Sequence, residues 1–136
     1  MQKPPTVVEL RWEHDLVFSA TSGNINLTLD SSSKAGPSPM QALAFGLAGC
    51  MAMDVAHVVA KGRFKVKAMS AKLTGERAAE EPRRFTSIAL HFTIDGEVPN
   101  DKIERAIALS RDKYCSVWHS MRHDIELTVT YQVVSG

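Results

Sequence analysis

The sequence predicts an α+β fold with the element order βββ-α-ββ-αα-β. Short segments at both ends and in the middle alternate apolar and polar residues, as strands with one buried face do. A long stretch from Met40 to Ala60 is apolar over most of its length, which indicates a buried helix. At 136 residues and 44% hydrophobic, the chain suffices for one domain with its own core. We therefore expect a single domain over residues 1–136, whose sheets need a helical partner on one face.

Three short strands are predicted in the first thirty residues. The first runs from Val7 to Trp12, after a Pro-Pro pair. The next two, Leu16–Ala20 and Asn26–Leu29, flank the turn formers of residues 22–24 (SGN). A loop of turn-forming residues (30–39) separates these strands from the long helix.

The long helix has a clear start and a clear end. Ser38 is a good N-cap, and proline is favoured in the first turn that follows. The helix should run to about Lys61 and stop at Gly62, a residue type that favours helix ends. Since it is apolar nearly all round, we expect most of its surface to be buried. Gly46 and Gly49 are costly inside a helix, which predicts close approach of another backbone.

The second half predicts two strands, two helices and a last strand. The strands Val66–Glu76 and Phe85–Asp95 alternate, the latter with an apolar face of Ile88, Leu90, Phe92 and Ile94. Asp101 and Glu104 resemble a capping box at the start of a helix through Lys113. A short helix, 116–122, and a strand with an apolar face over 125–133 complete the order.

Charge and composition exclude several classes of function. Lysine plus arginine number 16 and aspartate plus glutamate 15, so the chain has no electrostatic signature of nucleic-acid or anionic-membrane binding. The apolar stretch contains Asp54 and His57, which are costly in hydrocarbon and favour a soluble protein. The first five residues lack the apolar core of a signal peptide. We therefore expect a reducing, cytoplasmic location, where the two cysteines are free core residues, metal ligands or redox groups.

Cys50 begins the main polar stripe of the long helix. Asp54, His57 and Lys61 follow it at i+4, i+7 and i+11, so all four lie on one side. A polar stripe that starts at a cysteine indicates a cleft or the edge of an interface. The alternative is an ordinary solvated ladder of polar residues above a packed cysteine.

Cys115 lies where two helical segments meet. Backbone N–H groups at a helix start stabilise a thiolate, which predicts a lowered thiol pKa at this position. The alternative is a small residue that fills a corner between helices. The sequence alone does not separate the two.

Other chemistries have weaker support. Cys50 with Asp54 and Cys115 with His119 are both spaced i, i+4, and together they would supply a four-ligand zinc site. Neither cysteine belongs to a CxxC element. A Cys-His hydrolase lacks an identifiable orienting group, and no GxGxxG, P-loop or GxSxG motif is present.

Several segments resemble the OsmC/Ohr family of osmotically induced and organic hydroperoxide resistance proteins, most closely its YhfA-like branch. The resemblance runs from about Val8 to Val134. It is carried by the helix segments 38–43 (SPMQAL), 47–50 (LAGC) and 53–55 (MDV), the second cysteine segment 113–117 (KYCSV), and the intervening 73–77 (LTGER) and 82–86 (PRRFT).

The resemblance implies an OsmC-like fold with antiparallel sheets around a long buried central helix, in an intertwined homodimer with its sites at the subunit interface. It implies thiol peroxidase chemistry without metal, haem or flavin. By position, Cys50 would be the peroxidatic cysteine and Cys115 the resolving cysteine. The resulting disulfide would be reduced by a dithiol such as a lipoyl group.

The sequence departs from the family at two activating positions. Well-characterised members place a glutamate and an arginine beside the peroxidatic cysteine, and this chain has Met40 and Val17 there. Without a cationic partner, a thiol is a poor nucleophile at neutral pH. The alternative function is therefore a non-enzymatic OsmC-like protein that binds a small apolar or thiol-reactive ligand in the interface pocket.

Overall fold

The computed structural model describes residues 3–134 and confirms the α+β class. The chain forms two compact units, one ending at Leu43 and one beginning at Ala44. The single-domain assignment stays a prediction. The elements are β1 (Glu9–His14), β2 (Val17–Ser22), β3 (Ile25–Asp30), α1 (Pro39–Lys61), β4 (Lys65–Arg77), β5 (Phe85–Glu97), α2 (Asn100–Leu109), a π-helical turn (Ser110–Tyr114), α3 (Ser116–His119) and β6 (Glu126–Val134).

The first unit contains the antiparallel sheet β1-β2-β3. The predicted turn between β2 and β3 is confirmed, and Gly23 adopts a φ of 60° there, which glycine tolerates without strain. Ser22 pairs with Ile25 at the turn, and Val17 pairs with Asp30 at the other end. This register puts Asp30 at the exit of the sheet, where the loop to α1 begins.

The loop from β3 to α1 is organised by the carboxylate of Asp30. It accepts hydrogen bonds from the backbone N–H groups of Ser32, Lys34 and Ala35 at 2.9–3.3 Å, and from the Ser32 hydroxyl at 2.9 Å. These donors, led by the Ala35 amide, lower the pKa of Asp30 to about 2. Gly36 is required nearby, because a Cβ atom there would collide with the carbonyl oxygen of Thr28.

Helix α1 begins and ends where the sequence predicts. Ser38 Oγ accepts the Gln41 N–H at 3.2 Å, and Gln41 Oε1 accepts the Ser38 N–H at 3.0 Å. This reciprocal pair is a capping box, with Ser38 as the N-cap and glutamine at position N3 in the first turn. At the other end Lys61 is the last helical residue, and the left-handed residue that reverses the chain is Arg63 (φ 62°), not Gly62.

The prediction that α1 is buried on most of its surface is wrong for the chain by itself. The buried residues form one stripe at i, i+4 spacing: Leu47, Met51, Val55 and Val59. Phe45 and Met53 remain 71% and 74% exposed. One stripe packs onto the second unit's own core, and the face that carries Phe45 and Met53 is left exposed.

The close approach predicted at Gly46 and Gly49 is also not found among the described residues. A Cβ atom at Gly49 would have nothing within 4 Å, and one at Gly46 would meet only a methyl group of Val117 at 4.0 Å. Packing within the chain therefore does not explain these two glycines. Any close contact they serve would have to come from outside the described residues.

The second unit contains the sheet β4-β5-β6. Strands β4 and β5 are antiparallel, whereas β5 and β6 are parallel, so the expectation of purely antiparallel sheets is wrong. The connection from β5 to β6 passes through the helical elements, and such a crossover returns a strand in the same direction. The predicted apolar face of β5 is confirmed, since Ile88, Leu90, Phe92 and Ile94 are all buried.

Helix α2 starts without the predicted capping box. Its N-cap is Pro99, and no side chain caps the first turn. Glu104 instead accepts a hydrogen bond from the hydroxyl of Tyr131 on β6. The carboxylate is thereby used in a contact between distant segments, which local spacing does not reveal.

Asp30 should make the unfolding of the protein sensitive to acid. Because folding lowers its pKa from 3.8 to about 2, its contribution is fully present above the higher value and is lost as the pH falls through the lower one. We expect Asp30→Asn to lower the free energy of unfolding at pH 5–7, with the difference from wild type shrinking between about pH 4 and pH 2. Urea unfolding across this range measures it. The exposed-site control Asp15→Asn should show no such convergence, and an equal effect of both variants would contradict the role of Asp30.

Candidate functional site

Helix α1 carries two of the site's polar groups one turn apart. Cys50 and Asp54 are both half-buried, whereas His57 and Lys61, further along the predicted stripe, are exposed. The i, i+4 spacing places Cys50 and Asp54 on the same side of the helix. The stripe therefore runs from a covered end at Cys50 to a solvated end at Lys61.

A π-helical turn carries the other half of the site. The N–H of Cys115 donates to the carbonyl oxygen of Ser110 at 2.8 Å, five residues back, which closes the wide turn. Single π-helical turns are rare and are frequent at functional sites. Ser110 is fully buried, and its hydroxyl donates to Asp54 Oδ2 at 2.8 Å. Our sequence analysis missed Ser110, because its role depends on this turn.

Cys115 caps the short helix α3. Its backbone is extended (φ −73°, ψ 99°), and its Sγ accepts the backbone N–H of Trp118 at 3.3 Å. This N–H stabilises negative charge on sulfur, as the sequence led us to expect. The predicted lowering of the pKa is nevertheless wrong. Burial of the side chain raises the pKa of Cys115 to about 11, and neighbouring Cys50 and Asp54 act in the same direction.

The two cysteines meet, as predicted. Cys50 Sγ, Cys115 Sγ and a carboxylate oxygen of Asp54 all lie within 4.8 Å of one another. We call these three residues the thiol cluster. It combines a half-buried thiol, a fully buried thiol and a carboxylate held in place by Ser110.

His119 does not join the thiol cluster, so the four-ligand zinc site is not assembled. Its Nε2 lies 3.0 Å from the carbonyl oxygen of Arg111 and donates to it, and its side chain is exposed. Its ring instead lies edge-on to that of His123, with centroids 6.3 Å apart. The i, i+4 spacing does not bring Cys115 and His119 together, because Cys115 is the extended N-cap of α3 and not a residue within the helix, which ends at His119.

A cavity of about 580 Å³ adjoins the thiol cluster through Asp54. Its mixed lining supplies two cations and several apolar surfaces: Asp54, His57, Val58, Lys61, Arg105, Leu109 and Tyr114. The polar stripe of α1 therefore forms one wall of a cavity, in agreement with the predicted cleft. Arg105, Leu109 and Tyr114 come from α2 and the π-helical turn, and only Tyr114 lies in a segment that the sequence singled out, 113–117.

The two positions at which the family resemblance implies an activating glutamate and arginine carry apolar side chains, and the structure places both in partly or fully buried surroundings. Met40 lies in the first turn of α1 and is half-buried. Val17 begins β2 and is buried. Neither position supplies a charge to any site.

Comparisons with known proteins show the family to which the chain belongs and proteins with a similar fold. The family model for OsmC-like protein matches residues 30–130. The protein YhfA of Escherichia coli K12 is 37% identical over 130 residues, which cover 93% of this chain and 97% of YhfA. A hypothetical protein from Aquifex aeolicus has a similar structure, with a TM-score of 0.91, 26% identity and coverage of 98% of this chain and 99% of that chain. The fold also resembles that of the organic hydroperoxide resistance protein OsmC from Legionella pneumophila, with a TM-score of 0.73, 16% identity and coverage of 98% and 100%.

Helix α1 is long and apolar enough to cross a membrane by length and composition alone. The core helix of a soluble protein passes the same test. A single helix of this kind is therefore weak evidence for a membrane span.

The raised pKa of Cys115 should be visible in its reactivity. At about pH 8, a rise from 9.0 to about 11 leaves about 100-fold less thiolate. In Cys50→Ser, where Cys115 is the remaining cysteine, alkylation by iodoacetamide should therefore reach half its maximal rate well above pH 9 in the folded protein and near pH 9 in urea. The pH midpoint distinguishes ionisation from restricted access, which would lower the rate at every pH. Equal midpoints in the two states would contradict the burial effect.

Proposed function

Since the chain belongs to the family of OsmC-like proteins, we propose that it is a thiol redox protein that reduces organic hydroperoxides or hydrogen peroxide. The observation that carries this proposal is the meeting of Cys50 and Cys115, whose sulfur atoms lie within 4.8 Å of each other. A bonded pair of sulfurs is about 2.05 Å apart, so a small movement of the side chains suffices for a disulfide.

Burial assigns the two cysteines different roles. Cys50 is half-buried and can be reached by a substrate, whereas Cys115 is fully buried and holds its proton firmly. The Cys50 thiolate attacks one peroxide oxygen and the O–O bond breaks. Sulfur is oxidised to a sulfenic acid, and the second oxygen takes up a proton and leaves as alcohol or water. The Cys115 thiol then attacks the sulfenic sulfur, which forms the disulfide and releases water.

The cycle closes when an external dithiol reduces the disulfide. A lipoyl-type dithiol suits this step, because exchange through a mixed disulfide leaves the donor as its own cyclic disulfide. The proposed location is the cytoplasm, where reductants keep thiols reduced.

The three residues of the thiol cluster include a carboxylate and no cationic side chain. Burial raises the pKa of Cys115, and the carboxylate of Asp54 adds to that rise. Met40 and Val17 occupy the family's activating positions. Lys61 and Arg105 in the adjoining cavity are the cations available to attract an anionic substrate on that side.

The cavity supports a second candidate function. A protein that keeps the fold and the cysteines, but binds a small apolar or thiol-reactive ligand without turnover, would need a cleft close to the cysteines. The cavity of about 580 Å³ beside Asp54 lies in the usual size range of such sites. The rate of Cys50 oxidation separates the two functions.

A homodimer is part of the proposal. Helix α1 exposes Phe45 and Met53, and every residue of β1 is exposed, including Trp12 at 64%. Large exposed apolar groups in a soluble protein indicate interaction surfaces. A second copy of the chain is the proposed partner, in which case the half-buried Cys50 would lie next to the subunit interface.

Peroxide treatment tests the redox function. With reduced protein and one equivalent of cumene hydroperoxide, we expect both thiols of each chain to be consumed and a Cys50–Cys115 disulfide to form. Cys115→Ser should stop at a Cys50 sulfenic acid that dimedone traps, and Cys50→Ser should consume no peroxide. Stopped-flow kinetics give the rate, and non-reducing mass spectrometry gives the linkage. Oxidation no faster than that of free cysteine at the same pH would reject the peroxidase function in favour of ligand binding.

The assembly has its own test. Phe45→Glu and Met53→Glu place charges on the exposed apolar surface of α1, so we expect either variant to shift the dimer to monomer in sedimentation velocity. The control Ala79→Glu changes an exposed residue in the β4–β5 loop and should leave the dimer intact. A wild-type chain that sediments as a monomer at micromolar concentration would contradict the proposed dimer.

A further inference from the structure

The thiol cluster has the composition and spacing of a metal site. We propose that it binds one Zn²⁺ ion, with Cys50, Cys115 and Asp54 as ligands and a water molecule in the fourth position. The proposal does not depend on peroxide reduction, because it concerns binding to the reduced protein alone.

The spacing is close to what tetrahedral zinc requires. With Zn–S distances of about 2.3 Å and Zn–O distances of about 2.1 Å, neighbouring ligand atoms lie about 3.5–3.8 Å apart. The three donor atoms of the thiol cluster already lie within 4.8 Å of one another. Cys50 and Asp54 approach from one helix and Cys115 from the π-helical turn, so side-chain shifts of about 1 Å would bring them into coordination distance.

Charge favours a dication at this place. Cys115 is fully buried and lies beside the carboxylate of Asp54. A bound Zn²⁺ would replace the two thiol protons and balance the negative charge of its three ligands. Two sulfur donors also favour zinc over magnesium or calcium, which prefer oxygen ligands.

The contacts around the cluster are those of an outer ligand shell. Ser110 donates to Asp54 Oδ2 at 2.8 Å, which orients the carboxylate and leaves its other oxygen for the ion. The backbone N–H of Trp118 donates to Cys115 Sγ at 3.3 Å, and such a donor stabilises a thiolate ligand. Partners of this kind typically contribute a factor of about 10–100 in metal affinity.

Zinc titration of the reduced protein tests the proposal. With a chromophoric chelator as competitor, we expect one Zn²⁺ per chain and no binding of Mg²⁺. Co²⁺ in place of zinc should give the thiolate-to-metal charge-transfer absorption of two sulfur ligands. Cys50→Ser and Cys115→Ser should each lose the stoichiometric site, Asp54→Asn should weaken it, and Ser110→Ala should weaken it by roughly 10-fold.

His119→Ala is the matched control, since it removes a nearby metal-binding side chain that lies outside the cluster. It should leave zinc affinity and the cobalt spectrum unchanged. Circular dichroism of each variant shows that it is folded. Failure of the reduced wild-type protein to bind zinc would overturn the proposal, as would binding that survives Cys50→Ser or is lost in His119→Ala. Peroxide reduction can succeed or fail independently of any of these results.

Discussion

The hydrogen bond from Ser110 to Asp54 is the interaction on which the site depends. A half-buried carboxylate in a mostly apolar helix is unfavourable unless a donor satisfies it. The donor comes from a π-helical turn, which starts at Ser110 and is closed by the N–H of Cys115. One contact therefore joins α1 to the segment that carries the second cysteine, and the two sulfur atoms come together around the carboxylate.

The same carboxylate shapes the chemistry of the pair. It adds to the burial that raises the pKa of Cys115. An arrangement of two thiols and one carboxylate is unfavourable for free thiolates and favourable for a cation. This is a physical reason to distinguish the chain from family members that place a glutamate and an arginine where it has Met40 and Val17. The cations Lys61 and Arg105 line the same cavity as Asp54.

Burial of α1 shows how far a hydrophobic pattern can be interpreted. The sequence correctly identifies a long apolar helix, but within the second unit one stripe packs while Phe45 and Met53 stay exposed. Apolar periodicity predicts that a surface is covered in the folded protein, but it does not identify the element or partner that covers it. The same holds for Gly46 and Gly49, whose small size has no explanation among the described residues.

The sequence by itself determined the features that depend on neighbouring residues. These are the α+β class, the N-cap at Ser38, the end of α1 at Lys61, the alternating apolar face of β5, and, through family motifs, the meeting of Cys50 and Cys115. The tertiary structure decided what depends on contacts between distant residues. Glu104 accepts a hydrogen bond from Tyr131 instead of capping its own helix, and β6 lies parallel to β5. Burial raises the pKa of Cys115 even though this residue lies at a helix start, where a backbone N–H acts to lower it. Caps and alternation act within a few residues, whereas desolvation, strand direction and the Ser110–Asp54 bond exist only once the chain has folded back on itself.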